Sequence, residues 1–198
     1  MIKHLIFCFV CFCSLTGFSQ EDTDLYYHDE EDTPKKFQPS QELGFDALFS
    51  ASTLGGIAGI GVKYGFVVKE NLIVGPSVRY QRNWTKAASN TTSFSANIYG
   101  GGGFLHYRFL NYFFVGTEIE ALSSPFNYAA PQVGRVWAMT ALTGGGFSRD
   151  FGDMRLNAGI MYDIVNSVNS PYRYGYFIRN EQGVLQPIMY RLSLFFEI

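Results

Sequence analysis

The sequence predicts an all-β fold, an eight-stranded antiparallel up-and-down transmembrane β-barrel. Three observations carry that reading. Apolar residues alternate with other residue types in eight segments between positions 41 and 198, and a period of two marks strands whose faces meet different surroundings. The links between segments alternate in length, as in barrels with tight turns on one rim and long loops on the other. Aromatic residues gather at segment ends, where rings settle at lipid–water interfaces. Composition agrees, with 17% aromatic residues, 21 glycines and only 16% charged residues, against about a quarter charged in soluble domains.

The first element is a leader. Lys3 and His4 precede an apolar run from Leu5 to Leu15, and Gly17-Phe18-Ser19 forms a small-x-small site. Residues 1–19 are therefore expected to be a secretory signal peptide, cut before Gln20 or Glu21. The run is short for a spanning helix. Val10 and Phe12, ahead of Cys11 and Cys13, stand where lipid attachment requires a small residue. All three cysteines lie inside the leader, so the mature chain has no disulfide, thiolate metal site or thiol nucleophile. Residues 20–40 are expected to be an acidic, flexible periplasmic segment: seven acids between Glu21 and Asp32 oppose only Lys35 and Lys36. Residues 41–198 carry ten acids and twelve Lys plus Arg, so a near-neutral total hides an acidic lead and a slightly basic barrel.

The eight segments follow in order. Leu43, Phe45, Ala47 and Phe49 share a face opposite Glu42, Asp46 and Ser50. Ile60, Val62, Tyr64 and Phe66 oppose Gly59, Gly61, Lys63 and Gly65. Val74, Val78 and Tyr80 oppose Ser77, Arg79 and Gln81. Tyr99, Leu105, Tyr107 and Phe109 oppose His106 and Arg108, across glycines 100–103 that blur the register. Phe113, Val115, Ile119 and Ala121 oppose Glu118 and Glu120. VWAMTALTGGGF, 136–147, is a sixth segment of unresolved register. Leu156, Ala158, Ile160 and Tyr162 oppose Arg155, Asn157 and Asp163. Ile188, Tyr190, Leu192, Leu194, Phe196 and Ile198 oppose Arg191, Ser193 and Glu197. Each segment is about the 9–11 residues that a tilted strand needs to cross a bilayer.

KEN, LNY and SRDFGD are the expected short links; TKAASNTT, SSPFNYAAPQVGR and the stretch from Val165 to about Gln186 are the long ones. The link around STLGG is short where the pattern calls for a long loop. YRYGYFIR and VLQPIMYR offer an alternative, a hairpin that extends the barrel above the membrane; the sequence alone does not separate eight strands from ten. A soluble barrel would turn its apolar face inward and present charge outside. Here the second faces are rich in Gly, Ser and Asn with scattered opposite charges, which suits the narrow lumen of an eight-stranded barrel better than a water-facing surface.

Lumen candidates are Glu42, Asp46, Glu118, Glu120, Asp163 and Glu197 against Lys63, Arg79, Arg108, Arg155 and Arg191. Nearly balanced and buried, they are expected to pair, forming a salt-bridge plug or, alternatively, a narrow ion path. Glu118 and Glu120 read as counter-ions for Arg79 or Arg155. Barrel enzymes that modify lipids need a His beside a Ser or carboxylate near the outer leaflet; His28 lies in the acidic lead and His106 near the short-turn rim. GGGGF and GGGF lack the Lys-Ser/Thr and helix of phosphate loops. No enzyme activity, cofactor, metal or nucleic-acid partner is expected. Tyr172, Arg173, Tyr174, Tyr176, Phe177 and Arg179 form a partner-docking candidate, because Tyr and Arg anchor interfaces. Arg82 and Lys86, near Trp84, are candidates for lipopolysaccharide phosphates.

Leader, acidic lead, eight strands with Gly-rich second, fourth and sixth segments, and an aromatic-rich last strand together resemble the small outer-membrane β-barrel proteins of Bacteroidota, the OmpX/OmpA-barrel-like group often labelled PorT-like. The resemblance spans residues 41–198. It implies an integral protein of the bacterial outer membrane with both termini periplasmic, working as a structural or accessory subunit beside lipid, lipopolysaccharide and other envelope proteins; a small channel is the alternative. Such barrels usually end in an aromatic residue, whereas this chain ends in Ile198 with Phe196 two before it.

Overall fold

The structure, a computed structural model, describes residues 40–53, 55–86, 93–127, 134–176, 178, 180–182 and 184–198. The leader, the acidic lead, Phe177 and Arg179 lie outside the described residues. Eight strands run in chain order: β1 Gln41–Ala51, β2 Gly55–Lys69, β3 Leu72–Thr85, β4 Phe94–Phe109, β5 Phe113–Ser124, β6 Val136–Asp150, β7 Met154–Asp163 and β8 Ile188–Glu197. Each pairs antiparallel with its neighbours, and β1 pairs with β8, which closes the barrel and leaves no sheet edge. Among the described residues between 178 and 186, the Asn180 amide donates to the Val184 carbonyl and the Gln186 amide to the Ile178 carbonyl, and these residues add no strand to the barrel.

The glycine runs do not break register. Gly100 to Gly103 pair without a shift against Arg79 to Pro76 on one side and Leu122 to Ile119 on the other. Gly144 to Gly146 pair as regularly with β5 and β7. A register shift lies instead on the β2–β3 ladder, between Val67 and Lys69. At Gly102 a Cβ would lie 2.8 Å from Glu120 Cα, so glycine lets the β4 and β5 backbones approach closely. Several strands exceed the length a bilayer needs: β2, β3, β4 and β6 have 15, 14, 16 and 15 residues. The β3–β4 ladder runs to Thr85–Phe94 and the β5–β6 ladder to Ser124–Val136, which extends the wall on the long-loop rim. β6 also continues through Asp150, so the tight β6–β7 turn is only 151–153, with Gly152 at φ 86°.

Alternation fixes what each face meets. Ile60, Val78, Ile119 and Ile160 are 63%, 60%, 52% and 57% exposed, while Lys63, Glu118 and Glu120 are 0%, 1% and 1%. A water-soluble fold has the opposite arrangement. Only a solvent of acyl chains favours a whole belt of outward aliphatic side chains on a closed barrel. Rings line the short-turn end of the belt as a ladder: Tyr107 to Phe109, Phe109 to Phe113 and Phe113 to Phe147 have centroids 6.4, 5.6 and 5.3 Å apart. At the long-loop end Tyr99 meets Trp137 edge-on at 6.4 Å.

Candidate functional site

The lumen is built in three layers. Toward the long-loop rim, Leu48, Ile57, Ile98, Leu122, Leu142, Met161 and Met189 pack with Tyr172 and Tyr176. Toward the short-turn rim, Val67, Ile73, Phe104 and Phe195 form a second apolar layer. An ionic cluster lies between them. Its members sit on alternate residues of β1, β2, β3, β5 and β8, because the strand period returns a side chain to the lumen every second position.

Asp46 is the hub. Its carboxylate accepts from Lys63 Nζ at 3.1 Å, Arg79 Nη2 at 3.0 Å and Ser193 Oγ at 2.5 Å. Lys63 also donates to Glu118 at 2.5 Å. Arg79 Nε bridges both oxygens of Glu120 at 3.1 and 3.0 Å. Arg191 Nη2 lies 3.0 Å from Glu118 Oε2; this is an ion pair by distance, although its N–H groups are not aimed at an acceptor. Three carboxylates thus face three cations, all with side chains no more than 1% exposed. Stripping water from ions costs several kcal/mol each, roughly, and only such reciprocal pairing offsets it.

The described part of the β7–β8 loop supplies the lid of this cluster. Ser170 caps a 3-10 turn, Pro171–Gly175, accepting from the Tyr172 amide. The turn drops Tyr172 into the barrel, where its hydroxyl donates to Glu120. Its ring lies 5.6 Å from the Arg79 guanidinium and 5.7 Å from that of Arg191. Tyr176 donates to Asp163 at 2.7 Å. Burial first, then that carboxylate, push the Tyr176 hydroxyl well above the ordinary tyrosine range.

The sequence-derived candidates therefore separate. Asp46, Lys63, Arg79, Glu118, Glu120 and Arg191 meet in one cluster. Glu42 and Arg108 form their own two-pronged pair at 2.6 and 2.5 Å, nearer the short-turn rim. Arg155 is a correction: it binds Asp150 at that rim, partly exposed, and is no counter-ion for Glu118 or Glu120. Glu197 is exposed beside the chain end. Asp163 serves the loop through Tyr176, Asn166 and Ser170. Of the docking candidates, Tyr172 and Tyr176 are buried and Tyr174 half-buried against Phe126, so these rings face the barrel. Arg173 holds Asn166 Oδ1 at 3.1 Å.

Three participants escape a reading by charge pattern. Ser193 completes the shell of Asp46. Tyr172 joins from a turn with no strand period. His106 is wedged among Phe104, Phe114 and Phe195, with centroids 5.0, 5.4 and 5.8 Å away, and places Nε2 3.4 Å from Glu118. It has the carboxylate neighbour of an acid–base pair but is 1% exposed, closed in by these rings. Among the described residues no group of three or more His, Cys, Asp or Glu is placed to hold a metal ion.

No protein-family model matches the chain, and no curated protein sequence matches it. Among solved structures, the Yersinia pestis outer membrane protein Ail, determined in a phospholipid bilayer nanodisc, is similar at 10% identity and a TM-score of 0.45, covering 80% of this chain and 99% of that one.

Proposed function

We propose that the chain is a non-enzymatic integral protein of the bacterial outer membrane, exported by its leader, with both termini periplasmic and a lumen closed to flow. It works as a structural or accessory subunit whose contacts are made outside the barrel, with lipid and with other envelope proteins. The observation that carries this reading is the lumen filling. Two apolar layers enclose a charge-balanced cluster, and Tyr172 stoppers it from the long-loop side. A conducting pore needs hydrated, loosely paired groups along its axis, whereas these ions hold one another and exclude water. Catalysis would need a reactive group open to a substrate, and His106, Glu118 and Glu120 are sealed in.

The short turns support the periplasmic placement of the termini. Both ends of the barrel, Gln41 and Ile198, lie on the rim of the 70–71, 110–112 and 151–153 turns, with the Ile198 amide donating to the Gln41 carbonyl at 3.0 Å. In outer-membrane barrels that rim faces the periplasm.

Planar-bilayer recording of the refolded chain tests the closed lumen. Silence is expected from the natural sequence. Steady conductance that changes on Glu118→Gln or Arg79→Gln would replace this reading with a channel.

A further inference from the structure

The outer surface of the barrel is not uniform. One groove of about 630 Å³ is cut into the lipid-facing side of β3–β6. Its floor is Gly101 and Gly103, outward positions without side chains; Leu105, Ile119, Ala121 and Met139 form its walls. No ionisable residue lines it.

Directly above this groove, on the same face of β4, the wall turns basic. Asn97, Tyr99, Gly101 and Gly103 follow one another at every second residue. Gly101 and Gly103 therefore lie about 13 and 20 Å along the strand from Asn97, at roughly 3.3 Å per residue. Arg82 is the cross-strand partner of Asn97 and donates to Ser95 Oγ at 3.3 Å. Arg135 reaches the same residue from the β5–β6 side, donating to the Asn97 carbonyl at 2.5 Å and to the Ser123 carbonyl at 2.9 Å. Its guanidinium also lies 5.6 Å from the Tyr99 ring. Both arginines are exposed outside the barrel, and among the described residues neither lies within ion-pair distance of a carboxylate. Their neighbourhood explains why: positions 71–117 and 121–149 contain no Asp or Glu, while Arg82, Lys86 and Arg135 all stand near the long-loop end of that sector.

We propose that this face holds one phosphate-bearing acylated lipid of the outer leaflet. A head-group phosphate is gripped by Arg82 and Arg135, and an acyl chain descends past Tyr99 into the groove over Gly101 and Gly103. Two observations choose the occupant. A planar guanidinium fork matches phosphate oxygens, and this sector offers the anion no competing carboxylate. The groove continues the lipid-facing belt, so the membrane itself touches it. Its reach from the interface is about that of half a bilayer, whose hydrocarbon core is roughly 30 Å. The inference rests on the membrane-barrel reading and deepens it, from general lipid contact to one defined lipid.

The test uses the full chain in phosphatidylcholine nanodiscs doped with diphosphoryl lipid A, with the lipids kept by the protein after detergent exchange measured by mass spectrometry. Enrichment of lipid A over phosphatidylcholine of about tenfold is expected, the factor that 1.4 kcal/mol corresponds to. Arg82→Gln combined with Arg135→Gln is expected to bring the ratio to about unity. Gly103→Leu, where an added Cβ meets nothing closer than 3.4 Å, is expected to reduce retention severalfold while the barrel stays folded. Equal retention of dephosphorylated lipid A, or retention indifferent to both sets of substitutions, overturns the proposal. A transmembrane protein displaced from native membranes by Gly103→Leu, with no lipid enrichment, overturns it as well. Failure of the natural chain to enter nanodiscs would instead defeat the membrane-barrel reading beneath it.

Discussion

Strand β5 presents two neighbouring residues to opposite worlds. Glu118 points inward, 1% exposed, held by Lys63 and Arg191; Ile119 points outward, 52% exposed, beside the groove over Gly103. One peptide unit separates a fully desolvated charge from an aliphatic side chain on the barrel surface. In a soluble protein both would be badly placed. In a bilayer the aliphatic residue is solvated by acyl chains, and the carboxylate is solvated by the protein. The barrel wall thus separates two non-aqueous environments, one filled by lipid and the other by reciprocal charges.

That contrast can be broken from either side. The largest expected loss comes from inside. Glu118→Ala leaves Lys63 and Arg191 without their nearest shared anion, and removing one partner of a buried pair typically costs about 3–5 kcal/mol. Urea unfolding of the refolded barrel in lipid vesicles measures it. From outside, Ile119→Arg puts a charge into the apolar belt, which near the bilayer midplane costs about 2–4 kcal/mol in such barrels; the same titration reads it, and a loss near zero would mean that this face meets water. Next comes Tyr172→Phe, which keeps the ring over Arg79 and Arg191 but deletes the hydroxyl on Glu120. A hydrogen bond to a charged group is worth roughly 1.5–3 kcal/mol, and faster protease cleavage of the 164–187 loop is the accompanying sign. Asp150→Ala, at the open rim opposite Arg155, should cost under about 1 kcal/mol, as exposed pairs do. The ratio of the first to the last of these losses measures how dry the lumen is.

Much of this contrast was legible in the sequence. Period two assigns a face to each residue of β1, β2, β3, β5, β7 and β8, and those assignments place Asp46, Lys63, Arg79, Glu118, Glu120 and Arg191 inside. Periodicity reports the face and not the depth. Arg155 has the inward phase of β7 but lies one residue from its start, so it meets Asp150 at the rim. Glu197 has the inward phase of β8 but falls at its end. Depth depends on the stagger between strands, and stagger is set by pairing partners that no single strand encodes. The glycine runs of β4 and β6 hid their phase for another reason: a residue without a side chain contributes nothing to alternation, and only the ladders on both sides fix it. By sequence Tyr172 reads as a surface anchor, because Tyr beside Arg is common at interfaces. The turn that carries it has no period, and its direction is set by the carboxylate waiting at Glu120.

One measurement bears most directly on the central claim that the barrel's apolar face meets lipid while its ions meet one another. With all three natural cysteines in the leader, single substitutions Val78→Cys, Ile119→Cys and Ile160→Cys can each carry a fluorophore on the refolded chain in bilayers, with Leu110→Cys, in an exposed turn, as the reference. The account predicts that lipids bearing a quencher on the acyl chain darken the three belt positions and that iodide in the buffer reaches only the turn. Belt labels quenched by iodide as readily as the turn label, and untouched by the lipid-borne quencher, would contradict it.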